Sequence, residues 1–230
     1  MFFAGAYWGP RPESAEVCAY KLANCLEGLS NAHPSLRTWF RTGRSKATAR
    51  KGPIDIAAGE LSRALKEGSN RRDADRSIIA ELGFSLALWN GGEAPVGLAI
   101  TCGAGSSVIS EPNHLVLDLP DPDSNLSGCS LYEKDVAARM MKTMVEIWQP
   151  DYAIWSSYSI QTEQAETVDI PTAGWFTYVK PPWMLKRSTD AGVMTEEFAG
   201  GTLAILDVPP VKVASHEAAS VRKMIYRSAE

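Results

Sequence analysis

Phe84-Ser85-Leu86-Ala87-Leu88-Trp89, then Asn90-Gly91-Gly92-Glu93, then Pro95-Val96-Gly97-Leu98-Ala99-Ile100-Thr101-Cys102, is the stretch that decides the fold. Two apolar runs of strand length flank an Asn-Gly pair. The tight turn such a pair favours needs positive φ, so the stretch predicts a β-hairpin in the middle of the chain. Downstream, His114 to Leu119 reads as another strand. A loop rich in turn residues follows, Asp118-Leu-Pro-Asp121-Pro-Asp123. Ser130-Leu-Tyr-Glu133 matches a capping box, which predicts a helix over residues 131–148 with Val136, Met140, Met144 and Ile147 on one face. Residues 152–157, 175–180 and 201–207 read as strands, and 215–226 as a last helix. Upstream, residues 1–8 read as a strand. A helix over 14–29 carries Cys18, Leu22, Cys25 and Leu29 on one face, with Ser14 as its N-cap. Residues 36–40 suggest a short strand entering a basic loop, and helices are expected over 56–67 and 74–83. This mixed order predicts an α+β fold: a single mixed, mainly antiparallel sheet with helices packed on its faces, the whole of 1–230 forming one domain.

The 230 residues suffice for one sizeable core. No apolar stretch reaches the length of a membrane span. Met1 to Trp8 has no basic residue ahead of an apolar run, so it reads as a strand rather than a signal peptide, and a cytoplasmic protein is expected. The net charge of −4 is unevenly spread. Residues 37–76 hold eleven Lys/Arg against five Asp/Glu, whereas residues 111–210 hold six against fifteen. The acidic part is suited to steering a cationic partner.

No catalytic constellation emerges. Cys102 and His114 are the one Cys–His pair of moderate spacing, and they read more simply as a core thiol at a strand end and a loop histidine. G-x-S-x-G and Walker A are both absent. Asp118, Asp121 and Asp123 imitate a calcium loop by composition alone, without its central Gly and final Glu. Cys18, Cys25, Cys102 and Cys129 form no C-x-x-C pair, so neither a zinc site nor a disulfide framework is expected. Cys18 and Cys25 lie about 10 Å apart along a helix axis. No cofactor and no metal are expected. Trp39 and Phe40 beside the basic segment 37–76 suggest a nucleic-acid module as an alternative, although a pI near 5.5 opposes it. An unrecognised Cys/His enzyme is the other alternative. Trp175 and Trp183, beside Pro and Gly, are expected to be half exposed.

Tyr7-Trp8-Gly9-x-Arg11-x-Glu13, Cys18-Ala19 on the first helix, Trp39-Phe40, Gly174-Trp175-x-x-Tyr178 and Gly200-Gly201-Thr202-Leu203 together resemble the Immunity protein 52 family over nearly the whole chain. The resemblance implies an antidote encoded beside a toxin of a polymorphic or type VI secretion system. Such toxins are often DNases with a restriction-endonuclease-like fold and a cationic DNA cleft. It implies no catalytic residue; Tyr7 to Glu13 read equally as a strand end, a turn and a helix start. The expected partner is a cognate nuclease toxin, with neither nucleic acid nor membrane bound directly. The candidate partner-binding residues are Asp121 and Asp123 on the Pro-rich loop, with Glu163, Glu166 and Asp169 after the Trp155 strand.

Overall fold

The central hairpin forms. β3 (Phe84–Trp89) and β4 (Gly97–Cys102) pair antiparallel with Leu86 opposite Ile100. Their connection spans residues 90–96 and is longer than the tight turn that Asn-Gly suggests. Asn90 is buried and organises it: its carboxamide accepts from the Val96 and Gly92 N–H groups and donates to the Ala94 and Ser35 carbonyls. An Asn side chain competes well for nearby backbone, and here it holds the larger loop closed.

The computed structural model describes residues 1–42, 52–108, 112–122, 126–165, 170–186 and 192–228. Among them the other strands are β1 (Phe2–Trp8), β2 (Phe40–Arg41), β5 (Asn113–Leu119), β6 (Tyr152–Ser157), β7 (Phe176–Val179), β8 (Trp183–Leu185), β9 (Val193–Phe198), β10 (Gly201–Leu206) and β11 (Ile225–Arg227). The α-helices are α1 (Ala15–Ala32), α2 (Ala58–Glu67), α3 (Lys134–Trp148), α4 (Tyr158–Gln164) and α5 (Ser215–Met224). Nine strands form one mainly antiparallel sheet in the order β2-β3-β4-β5-β1-β6-β7-β10-β9, and β8 pairs with β11 in a separate ribbon. The fold is α+β. By contact density the chain divides into two compact units, residues 7–117 and residues 1–6 with 118–230.

In the unit of residues 7–117, α1 lies against α2 and α2 against β3. Leu22, Cys25, Leu26 and Leu29 of α1, Leu61 and Leu65 of α2, and Leu98 and Ile100 of β4 are all buried. Ser14 caps α1 by accepting from the Val17 N–H. The helix expected over 74–83 is absent. Residues 70–79 fold back on themselves, with Arg71 bridging Ile78 and Arg76 at positive φ, and only a short 3₁₀ turn follows at Ala80–Leu82. The Asp75 carboxylate accepts from both the N–H and the hydroxyl of Ser77, a local closure that wins over the helical spacing of Ile78, Ile79 and Leu82.

In the other unit, β6, β7 and β10 are buried almost throughout, while β9 at the sheet edge is exposed or half-buried along its length. Met140, Met144 and Trp148 of α3 are buried, and α3 packs against β6. α3 begins later than the capping box implies: residues Leu126–Tyr132 form a 3₁₀ stretch, and Glu133 is an N-cap whose side chain makes no capping bond. Trp175 is buried, not half exposed, because it packs edge-on against the rings of Trp155 and Phe176; Trp183 is half-buried on the β8 ribbon. Gly174 is required by close approach, since a Cβ there would sit 2.3 Å from the Trp155 carbonyl oxygen.

Candidate functional site

Two of the five acidic candidates lie among the described residues. Asp123, Glu166 and Asp169 lie outside them. Asp121 stands in the loop after β5, with a carboxylate oxygen 3.6 Å from the Met1 amine. Glu163 is exposed on α4. The first residue of that helix is Tyr158. Its N–H donates to the Met1 carbonyl, its ring lies 4.8 Å from that of Phe3, and its hydroxyl donates to Asp118 Oδ1 at 2.5 Å. Asp118, Asp121, Tyr158 and Met1 therefore gather on one edge, and Glu163 is exposed on the helix that Tyr158 begins.

This edge is held firmly from below. Ser157 caps α4 by accepting from the Ile160 N–H. The Gln164 carboxamide pairs twice with the Ala173 backbone, donating to its carbonyl and accepting from its N–H. Arg222 donates to the carbonyls of Gln164 and Ile170. Burial, followed by the contact with Asp118, pushes the Tyr158 phenol up to about 12, so it stays a protonated donor at neutral pH. Carboxylates around a 38% exposed tyrosine make a surface suited to Lys and Arg side chains. The arrangement has no nucleophile–base pair. Tyr158 and its contact with Asp118 have no signal in the sequence: the two residues are brought together by folding from 40 residues apart, and no local spacing announces such a pair.

A second feature lies within residues 7–117. An open groove of about 710 Å³ runs beside the start of α1, bordered by Pro12, Glu13 and Ser14 on one side and by Ile78, Ala80 and Phe84 on the other. Glu13 makes a close ion pair with Lys21, and Glu16 pairs with Lys66 at 2.5 Å. Gly103 closes the floor at φ +72°; a Cβ there would press to 2.7 Å from the Glu13 carbonyl oxygen. Pro12 and Glu13, which line the groove, end the stretch that begins at Tyr7. Tyr7 stacks near His114, the Arg11 guanidinium lies over the Trp8 ring, and the Arg11 N–H donates to the Ala104 carbonyl.

The Cys102–His114 alternative gains nothing from the geometry. Cys102 is fully buried, and its contact with Cys18, followed by burial, pushes its thiol well up, away from the thiolate a nucleophile needs. Burial holds His114 low. All four cysteines are free thiols. Among the described residues no cluster of three His, Cys, Asp or Glu side chains is placed to hold a metal, and no helix is long and apolar enough to cross a membrane. Of the basic segment, residues 43–51 lie outside the described set; Arg41 pairs with Glu67 and Arg63 with Glu60.

No curated protein matches this sequence. Among solved structures, the Pseudomonas aeruginosa T6SS protein PA0821 has a similar fold, with a TM-score of 0.52 at 10% sequence identity, covering 96% of this chain and 76% of that one. The family model for Immunity protein 52 matches residues 1–224. That match spans both compact units and every motif from Tyr7 to Leu203 that carries the resemblance, and the chain belongs to the Immunity protein 52 family.

Proposed function

We propose that this protein neutralises a secreted nuclease toxin by binding it in the cytoplasm of the cell that makes both, with no catalysis of its own. Membership of an immunity family implies a cognate toxin as partner. The fold shared with a T6SS protein is in keeping with a secretion-system toxin. The observation that carries the nuclease reading is the edge of Asp118, Asp121 and Tyr158, with Glu163 exposed on the helix that Tyr158 begins: carboxylates beside an exposed aromatic offer a nuclease's cationic cleft what DNA phosphates would offer it. Asp123, Glu166 and Asp169 belong to the same acidic stretches in sequence and are proposed as further contacts.

The test uses the cognate toxin, produced from the neighbouring gene and disabled in its active site for binding work. Wild-type protein should bind it one to one and abolish DNA cleavage by the active form. Asp121→Lys with Glu163→Lys should weaken binding by about 10- to 100-fold at low salt and flatten its salt dependence. DNA cleavage that continues under excess wild-type protein overturns the nuclease reading. Wild-type affinity and salt slope in the double variant overturn the acidic edge as the contact.

A further inference from the structure

The groove beside α1 has no part in the acidic edge and calls for an occupant of its own. Ile78 forms one wall and remains 52% exposed, and Pro12, Ala80 and Phe84 make the surroundings apolar. Val17 and Tyr20, on the turns of α1 that follow Ser14, are 44% and 65% exposed. Single exposed apolar side chains are ordinary on a protein surface; Ile78 differs in standing exposed on an apolar groove that it lines. The volume lies within the range of sites that enclose an organic ligand or a bulky side chain.

The charges at the groove indicate what enters it. Glu13 is neutralised by Lys21, and Lys66 by Glu16. Arg71 lines the same groove; its guanidinium donates to the Arg76 carbonyl at 3.1 Å and forms no ion pair among the described residues. An apolar slot with one uncompensated cation fits an apolar side chain that has a carboxylate beside it.

We propose that this groove is an anchor site for the toxin: it receives a large apolar side chain from the toxin surface, with an adjacent Asp or Glu seated on Arg71. The proposal rests on the immunity reading. It differs from the acidic-edge contact in sign, since it asks for an acidic and apolar patch on the toxin rather than a basic one. Side chains buried in well-packed pockets carry much of the binding energy in protein interfaces.

Calorimetry with the inactivated cognate toxin tests the proposal on the full chain. Ile78→Asp should weaken binding by at least about 30-fold and Arg71→Glu by about tenfold, while Arg71→Lys keeps most of the affinity. Ile78 and Arg71 are exposed, so thermal unfolding should match wild type for each variant. A photo-crosslinking residue at position 78 should capture the toxin directly, a readout that a general loss of stability does not produce. If wild type binds and both groove variants bind within about twofold of it, the anchor site is wrong and the immunity reading stands. If Arg71→Glu tightens binding, the carboxylate half of the proposal is wrong. If wild type does not bind the toxin at all, the immunity reading itself fails.

Discussion

Asn113 is fully buried, and its side chain makes three hydrogen bonds to backbone within the residue 7–117 unit. Its carboxamide accepts from the Ala104 N–H at 2.8 Å and donates to the carbonyls of Ala104 at 3.0 Å and Gly9 at 2.8 Å. One side chain thereby ties the residue after β1 to the one that follows the turn after β4. Truncation removes the acceptor of the buried Ala104 N–H, while the Ala104 carbonyl keeps the Arg11 N–H; an orphaned buried donor costs about 1–3 kcal/mol. Asn113→Ala should therefore destabilise the protein by about 1–3 kcal/mol in urea denaturation, through a lower midpoint at unchanged slope. Asn113→Asp should cost at least as much, because a carboxylate faces two carbonyls it cannot donate to. A midpoint within error of wild type for Asn113→Ala would remove Asn113 from this role. The sequence offered no sign of it, since a lone Asn ahead of an apolar run is indistinguishable from a loop residue.

At the scale of elements, α1 and α2 are joined by the Glu16–Lys66 pair, and Ser62 donates to the same carboxylate at 3.4 Å. Lys66 is the main cause holding the Glu16 carboxyl at about 2 rather than at its ordinary 4.5. A depressed folded-state value means that the contribution is complete above about pH 4.5 and fades as the pH falls towards 2. NMR titration should place the Glu16 carboxyl midpoint near 2, and Lys66→Met should raise it towards 4.5; a midpoint that ignores Lys66→Met would show that the pair does not hold in solution. Which elements were legible follows from period and length. The β3–β4 hairpin, β6, β10 and α1 carry long apolar patterns and stand where the sequence puts them. The helix expected over 74–83 failed because its spacing rested on three aliphatic residues while Asp75 and Ser77 closed a turn within it. β8 and β11 are too short to show a period of two, and β9, Val193–Phe198, is a charged edge strand that reads as a loop. The acidic edge was legible as composition, through Asp121 and Glu163. Its Asp118–Tyr158 contact and the groove at Ile78 are products of tertiary folding alone.

For the whole molecule, the question is whether two compact units make one folding unit. Domain boundaries ordinarily fall in exposed linkers that few contacts cross. Here the division passes inside β1, between Ala6 and Tyr7, and inside β5, between Leu117 and Asp118, and a single family model runs across it. A strand cannot be half folded without losing the ladder that its other half supports. We propose that residues 1–230 unfold as one domain. The two units can be perturbed separately: Asn113→Ala acts within residues 7–117, and Met140→Ala opens a cavity in the other unit, at a fully buried position where such a truncation costs about 2–5 kcal/mol. In a single cooperative unit, each variant shifts one transition, which far-UV circular dichroism and tryptophan fluorescence report at the same denaturant concentration. The calorimetric and van't Hoff enthalpies then agree. Both units carry tryptophan, Trp8, Trp39 and Trp89 in one and Trp148, Trp155, Trp175 and Trp183 in the other, so a separate transition in either would be visible. Two transitions, one moved only by Asn113→Ala and the other only by Met140→Ala, would make the units independent domains, and the acidic edge and the groove would then belong to separately folding parts of the antidote.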